Sequence, residues 1–268
     1  MLENEVALRL FCFFGILCGV AIWESLCPKR DRKIGRVIRW PRNLSLVVIN
    51  SLLVRLLIPF TAAGVALYAE QNQIGQLHYL SLPFGLTVIL SVLLMDLLIY
   101  TQHVVFHHVP FLWRLHKVHH MDQEIDVTTG LRFHPVEILL SSLIKCASVL
   151  LLGVPVMAVV IFEILLNGTA LFNHGNISLP AALDRVLRLI VVTPDMHRVH
   201  HSVLPHETNS NFGFNMPWWD RIFGTYRAQP EQDHLKMDIG LKAHRAVDKT
   251  GLWALMVIPF SGKNDDNQ

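Results

Sequence analysis

Residues 82–120 read LPFGLTVILSVLLMDLLIYTQHVVFHHVPFLWRLHKVHH, an apolar stretch followed at once by two histidine motifs. The part Leu82–Tyr100 carries one charged side chain, Asp96, and is long enough to cross a membrane as a helix. His103 and His107, in the motif HVVFH, follow within two helical turns of Tyr100. The stretch therefore predicts a membrane-spanning helix that places imidazoles at one face of a membrane.

The remainder of the 268-residue chain also indicates an integral membrane protein. It is 52% hydrophobic and only 16% charged, whereas soluble domains carry about a quarter charged residues. Val6–Leu26 and Leu44–Ala69 are further candidate spans. Leu139–Phe172 is too long for one crossing and is interrupted at Gly153-Val154-Pro155, which favours a helical hairpin. We therefore expect an all-α integral membrane protein with transmembrane helices, a membrane hairpin and a histidine-rich helical cap.

Charge in the loops predicts the orientation. Seven Lys and Arg side chains lie between Lys29 and Arg42, whereas residues 70–81 contain none. By the positive-inside rule the basic loop is cytoplasmic, and every histidine except His78 then lies on that side. We divide the chain into residues 1–100 with the first three spans, residues 101–230 with a di-metal domain and the hairpin 139–173, and a cytoplasmic or interfacial tail, 231–268.

The spacing of the histidines predicts metal binding. HKVHH at His116–His120 and HRVHH at His197–His201 share the pattern HxxHH. On a helix, residues i, i+3 and i+4 lie close together, so each motif directs three imidazoles toward one side of the helix. Nitrogen donors of this kind suit iron, zinc and copper alike. The eight candidate ligands, enough for two ions, are His103, His107, His116, His119, His120, His197, His200 and His201.

Two more histidines are candidate ligands because they stand at the ends of the hairpin arms. These are His134, in RFHPVE, and His174, in FNHGN. We assign no metal role to the remaining histidines, which are His78, His108, His206, His234 and His244.

Charged residues within the spans require partners, because an isolated charge in lipid is costly. Arg55 and Glu163 lie at similar depth and are expected to pair, with Lys145 as a competitor for Glu163. The alternative is that Arg55 extends to the membrane surface and Glu163 bonds to the backbone. Asp96 either orients a ligand or bonds a neighbouring helix. Metal-bound histidines usually donate their second N–H to a carboxylate or carbonyl. The acids beside the motifs that could accept it are Asp122, Asp126, Glu137, Asp195 and Glu207.

Several classes of function lack support in the sequence. The net charge of +2 and the lack of a basic patch with interleaved aromatics argue against a nucleic-acid partner. The four cysteines form no CxxC pair. No dinucleotide fingerprint, Walker loop or GxSxG elbow is present. A metal-binding membrane protein without catalysis, a transporter or a sensor, remains the alternative to an enzyme, although transporters usually hold their ligands near the middle of the bilayer.

The order HVVFH, HKVHH, HRVHH resembles the fatty acid hydroxylase superfamily, also called the sterol desaturase family. GLRFHPVEILLS, LFNHGN and NSNFGFNMPWWDRIFGTYR resemble its bacterial members, so the likeness covers residues from about Asp96 to Arg227. It implies a cytoplasmic cap that holds two iron ions, which zinc can replace during overexpression, on a bacterial inner membrane. O2 as co-substrate, a membrane lipid substrate and a separate electron donor (a cytochrome, ferredoxin or reductase) are implied as well. Some relatives have two histidines near FNHGN where this chain has only His174, and His134 is the expected replacement.

The aromatic segment PWWDRIFGTY, which contains Trp218, Trp219, Phe223 and Tyr226, has two possible roles. It either lines a path for an acyl chain or anchors the cap at the lipid headgroups. Leu252–Phe260 is a short apolar run that is expected to lie at the interface or to pack on the cap.

Overall fold

The computed structural model describes residues 4–246 and 251–261, and within them it is almost entirely helical, with no β-strand. The regions long and apolar enough to cross a membrane are Glu5–Leu26, Arg36–Asn72, Phe84–His108, Pro135–Leu152 and Val156–Asn173. The expected all-α architecture of transmembrane helices and a histidine-rich helical region is therefore confirmed. The division of the chain into three parts stays a prediction.

The helices of the described residues fall into those of the candidate membrane regions and those of the cap. The helices of the membrane regions are α1 (Glu5–Leu26), α2 (Arg36–Leu57), α3 (Ala62–Asn72), α4 (Phe84–His108), α6 (Pro135–Leu152) and α7 (Val156–Asn173). The helices of the cap are α5 (Pro110–His120), α8 (Ala181–Leu187), α9 (Pro194–His200), α10 (Pro205–Thr208), α11 (Trp218–Ile222) and α12 (Leu252–Val257).

The second membrane region starts earlier than the sequence predicts and is broken. It begins at Arg36 instead of Leu44, and α2 ends at Leu57 before α3 starts at Ala62. Pro59 lies in the break, where a residue without an N–H cannot continue the helix. Thr61 then caps α3, since its hydroxyl accepts a hydrogen bond from the N–H of Gly64 at 3.0 Å.

The predicted hairpin is present as α6 and α7. Gly153 ends α6 with a left-handed backbone conformation, φ +71°, that glycine adopts without strain. Gly75 packs against this turn so closely that a Cβ on it would lie 2.1 Å from the Gly153 nitrogen. The return of the chain brings His174, directly after α7, back toward the histidines of α4 and α5.

Helices α3, α4, α6 and α7 form the main apolar core, and α1 packs along α7. Small side chains such as Ala63 and Ala66 let α3 lie close to Val149 and Phe162 of the hairpin, and all four are fully buried. α12 packs on a separate cluster, in which Leu255 contacts Leu46 of α2 and Val118 of α5. Trp253 is 80% exposed.

The expected pairing of Arg55 with Glu163 is wrong. The Glu163 carboxylate instead forms ion pairs with Lys145 of α6 and with Arg9 of α1, the latter at 2.8 Å. Arg55 is exposed at the outer side of α2. The reason is helix order: α1 packs along α7, which carries Glu163, whereas α2 packs against α6.

Candidate metal centre

Nine of the ten predicted ligands converge on two adjoining groups. Within each group, the candidate ligand atoms all lie within 4.8 Å of one another, and all nine side chains are buried. The five-histidine group consists of His103, His107, His116, His120 and His200. The four-histidine group consists of His119, His174, His197 and His201. The rings of His120 and His201, one from each group, stack with their centroids 4.6 Å apart, so the two groups share a border.

Each HxxHH motif contributes to both groups. His116 and His120 lie in the five-histidine group, and the residue between them, His119, turns to the four-histidine group. The second motif does the opposite, since His197 and His201 join the four-histidine group and His200 joins the other. In both motifs the i, i+4 pair stays together and the i+3 residue crosses over. The two motifs therefore tie the two groups into one centre.

Local sequence explains why the motifs are held at helix ends. Pro110 starts α5 and fixes the first turn, and the chain leaves the helix after His120. In α9, Pro194 again occupies the first turn and the Thr193 hydroxyl accepts a hydrogen bond from the Met196 N–H. His201 directly follows this helix, so its ring and that of His197 lie on the same side.

Hydrogen bonds fix the tautomers of four ligands. The Nδ1 atoms of His103, His174 and His200 contact the carbonyl oxygens of Phe212, Ala170 and Ser210 at 2.7, 2.7 and 2.8 Å. Nδ1 of His116 contacts the Glu137 carboxylate at 2.7 Å. Carbonyl and carboxylate oxygens only accept, so each Nδ1 carries the proton. In the neutral ring Nε2 then presents a lone pair, which is the state a metal ligand needs.

These lone pairs face one another. Nε2 of His103 lies 3.1 Å from Nε2 of His116. In the four-histidine group, Nε2 of His174 lies 3.1 Å from His119, 3.0 Å from His197 and 3.3 Å from His201. Nitrogens that share one ion at about 2.0–2.1 Å are separated by about 3.0–3.4 Å. A cation between the nitrogens therefore fits the donor set, and hydrogen bonds alone do not.

Burial keeps four of the imidazoles outside the membrane spans neutral. Desolvation lowers the pKa of His174 to about 4 and that of His200 to about 3. The pKa values of His119 and His197 are also held well below the ordinary value, by desolvation first and by neighbouring imidazoles second. At pH 7 these rings are uncharged and can act as ligands.

The tenth predicted ligand, His134, lies outside both groups. Its Nδ1 accepts a hydrogen bond from the N–H of Val136 and thereby caps α6, and its Nε2 lies 3.2 Å from the Met256 carbonyl oxygen. Because both ring nitrogens have protein partners, we do not retain His134 as a ligand. None of the five histidines that we set aside belongs to either group in the described part of the chain.

The flanking acids have different partners. Among these acids, in the part of the chain that the structure describes, only Glu137 accepts a hydrogen bond from a grouped histidine, His116. Asp122 and Asp126 bind Arg39, Asp195 pairs with Arg198 and Lys29, and Glu207 accepts the N–H of Glu231. Asp96 accepts a hydrogen bond from Trp219 Nε1 at 2.8 Å and so joins α4 to α11.

Contacts that the sequence did not predict hold several of the candidate ligands. The Asn209 side-chain oxygen lies 3.2 Å from Nδ1 of His107. The Ala170, Phe212 and Ser210 carbonyls are backbone groups, for which sequence offers no signal. The sequence identified Arg39 only as one of the cations that predict the membrane orientation. In the structure it is buried and binds both oxygens of Asp122, at 2.8 and 2.7 Å.

The basic loop and the metal centre lie on the same side of the helices. Arg39 binds Asp122, two residues after His120, and Lys29 Nζ lies 3.0 Å from an oxygen of Asp195, two residues before His197. Burial alone would raise the pKa of Asp122, but the Arg39 guanidinium outweighs it and lowers that pKa to about 2. The Asp122–Arg39 pair is therefore ionised at neutral pH and anchors the first HxxHH motif to α2.

Two phenylalanine rings separate the histidines from the apolar core of the bundle. Phe133 stacks on His119 with a centroid distance of 4.5 Å and an interplanar angle of 9°. Phe214 lies 5.2 Å from the His103 ring and 6.1 Å from the His197 ring, so it touches both groups. Both phenylalanines also pack against the main core. They form an apolar floor under the centre, on its membrane side.

A family model for fatty acid hydroxylases matches residues 88–225, the region that contains all nine grouped histidines. The chain belongs to the fatty acid hydroxylase family. It is 30% identical over 181 residues to an ornithine lipid hydroxylase from Rhizobium tropici, covering 68% of this chain and 52% of that protein.

The names of two further relatives describe enzymes that act on other lipids. An alkylglycerol monooxygenase from Danio rerio is 32% identical over 163 residues, which cover 58% of this chain and 34% of that protein. A cholesterol 25-hydroxylase from Rattus norvegicus is 25% identical over 150 residues, which cover 55% of this chain and 49% of that protein. The chain thus spans about half or less of the length of these relatives. No solved structure matches the chain significantly.

Proposed function

We propose that this chain is a membrane-bound di-iron oxygenase that uses O2 and external electrons to hydroxylate or desaturate a C–H bond of a membrane lipid. The observation that carries the proposal is the pair of adjoining groups with nine buried histidines. Family membership supports the choice of chemistry, because three relatives are named as lipid hydroxylases or monooxygenases.

The donor set suits a redox metal. An all-nitrogen shell binds iron, zinc or copper, and zinc performs no redox chemistry. Two iron ions, when bound, would supply the oxidising power that an unactivated C–H bond requires and that acid–base side chains lack. The five-histidine group would hold one ion and the four-histidine group the other. The family relationship, not the geometry, favours iron over zinc.

The residues of this chain position the reaction and exclude water. The carbonyl and Glu137 contacts keep the ligand nitrogens unprotonated and directed inward. Because Phe133 and Phe214 connect the centre with the apolar core, the alkyl part of a lipid would approach from the membrane side. Hydroxylation consumes one O2, two electrons and two protons and yields the alcohol and one water. Desaturation consumes the same co-substrates and yields a double bond and two waters.

The electrons would come from a separate donor, since the sequence contains no nucleotide-binding fingerprint. We place the centre on the cytoplasmic side, because Lys29 and Arg39 of the basic loop bind residues beside the histidine motifs. A bacterial inner membrane fits this orientation and the similarity to the Rhizobium tropici protein.

Two measurements test the proposal. Protein from iron-supplemented cells should contain two iron ions per chain by elemental analysis. Extracted lipids from cells with the chain should contain species that differ by one added oxygen or by two lost hydrogens from those of cells with a His119→Ala, His200→Ala double variant. Ornithine lipids, ether lipids and sterols are the classes to compare first. Bound metal together with identical lipid profiles would instead favour a transporter or sensor.

A further inference from the structure

A continuous apolar surface is exposed on the short helices α8 and α11 and on the segment just after α8. Its side chains are 39–66% exposed, although they belong to the cap and not to a membrane-spanning helix. We name this surface the α8–α11 ridge, and its members are Val186, Leu189, Ile190, Trp218, Ile222 and Phe223. An exposed patch of large apolar residues marks a surface that binds another partner.

The two halves of the ridge are joined to each other. Trp218 Nε1 donates a hydrogen bond to the Leu189 carbonyl at 2.7 Å. The Arg221 guanidinium donates to the Arg188 carbonyl at 3.1 Å. Two side chains of α11 thus bind backbone carbonyls just after α8, and these bonds hold the two segments side by side.

Both ends of the ridge are held at the depth of membrane-spanning residues. At the α11 end, Trp219 binds Asp96 and Thr225 binds Tyr100 at 2.9 Å, and both partners lie within the α4 span, two to three turns before its end. The Phe223 ring also stacks on Tyr100, with a centroid distance of 5.5 Å. The ridge therefore lies beside α4 below the level of the histidines.

At the α8 end, the inward side chain Leu187 packs on a cluster that contains Val20 of α1 and Leu171 of α7. These two residues lie within candidate membrane spans. The outward side chains of α8 thus continue the lipid-facing surface of α1 and α7. A soluble partner protein at this depth would have to enter the lipid.

The charges of the ridge match a headgroup layer. Arg185 and Arg221 are exposed, whereas the acids of the same segments, Asp184 and Asp220, are buried. The Arg221 guanidinium lies over the Tyr226 ring at 4.1 Å from its centroid. Exposed arginines beside a tryptophan and aliphatic side chains are typical of segments that lie in the interface of a membrane with anionic lipids.

We propose that the α8–α11 ridge lies in the bilayer, parallel to its plane, at the boundary between headgroups and acyl chains on the side of the metal centre. The ridge fixes the cap against the membrane surface. This inference does not depend on the proposed reaction, because it concerns only where the surface lies.

Spin labels at Ile190→Cys and Ile222→Cys test the position of the ridge in vesicles of phosphatidylcholine and phosphatidylglycerol. The variants are made in a chain without Cys12, Cys18, Cys27 and Cys146. Power-saturation spectroscopy compares collisions of each label with oxygen, which enters lipid, and with a water-soluble nickel chelate. Both native side chains are more than 60% exposed, so the labels do not disturb the core.

We expect an oxygen-to-nickel ratio at both ridge positions several-fold higher than at Lys236→Cys, an exposed position elsewhere on the cap. Phe11→Cys is the control for a lipid-facing site, because the Phe11 side chain on α1 is 77% exposed. A nickel accessibility equal to that of Lys236→Cys at either ridge position overturns the proposal. If one label prevents insertion, Leu189→Cys replaces it under the same criterion.

Discussion

Nε2 of His103 lies 3.1 Å from Nε2 of His116, and both nitrogens present lone pairs, because Phe212 and Glu137 accept the two Nδ1 protons. Two buried lone pairs at this distance repel each other unless a cation or a proton lies between them. A metal cation bound between the two nitrogens removes this repulsion. Metal binding should therefore stabilise the folded protein, since the ligands are already assembled.

The first prediction concerns metal removal. Chelation should lower the melting temperature of the detergent-solubilised protein, and readdition of Fe²⁺ should restore it. A site at a free metal concentration 100 times its Kd contributes about 2.7 kcal/mol. The measurement is a thermal unfolding curve with and without metal. In a His116→Ala variant the stabilisation by metal should be roughly halved, because one of the two sites loses a ligand. An undiminished stabilisation would contradict the role of His116 as a metal ligand.

The second prediction uses the division of each HxxHH motif. His200→Ala removes a ligand from the five-histidine group, whereas His119→Ala removes one from the four-histidine group. Each variant should keep about one of two iron equivalents and lose lipid oxidation. The matched control is His108→Ala, because His108 is exposed and lies outside both groups. Loss of both ions from either variant would mean that the groups do not bind independently.

Sequence predicts this centre only in part, and the reason is visible in His119. Spacing of three and four residues shows that imidazoles share one side of a helix, but not which of two neighbouring ions each one faces. That choice depends on His174 and His201, which approach from other helices. The hydropathy of the spans is a local property, so the membrane helices could be predicted.

His134 shows the opposite case, in which the sequence carried a signal against the ligand role. Pro135 follows it at the first position of α6, and a residue before such a proline is a frequent helix cap. For Glu163 the sequence offered Lys145 as one possible partner, and that pair is present. The pairing with Arg9 had no such signal, because the neighbours of a helix are set by packing over the whole bundle.

The third prediction concerns Glu137, whose carboxylate accepts the Nδ1 proton of His116 at 2.7 Å. Glu137→Gln keeps the size of the side chain but removes the charge that makes the imidazole a stronger donor. We expect metal affinity in the five-histidine group to fall about 10- to 100-fold. Competition with a metal-sensitive dye measures this. Glu231→Gln, at an exposed acid, is the control and should bind like wild type.

The fourth prediction concerns Gly130, which lies against the support of His174. A Cβ at this position would lie 2.6 Å from the Ala170 carbonyl oxygen and 3.1 Å from Nδ1 of His174. Gly130→Ala should displace the carbonyl that fixes the His174 tautomer, with a cost to stability of about 1–3 kcal/mol.

The metal content of Gly130→Ala distinguishes this effect from general destabilisation. The four-histidine group should lose its ion at a chelator concentration that leaves the other group loaded. Gly85→Ala is the control, because nothing lies within 4 Å of a Cβ there. Equal loss from both groups would assign Gly130 a role in folding alone.

The last prediction concerns the apolar floor. Phe214 touches a histidine of each group and packs in the main core, so its ring lies where the alkyl part of a lipid would have to approach. Phe214→Ala should leave two iron ions bound but change the position or stereochemistry of the oxidised carbon, because a smaller side chain lets the alkyl chain reach further. Mass spectrometry of the product lipids measures the position. Tyr68→Ala, an exposed aromatic residue of α3, is the control for losing an aromatic ring. Unchanged product positions at unchanged metal content would show that the lipid reaches the centre by another side.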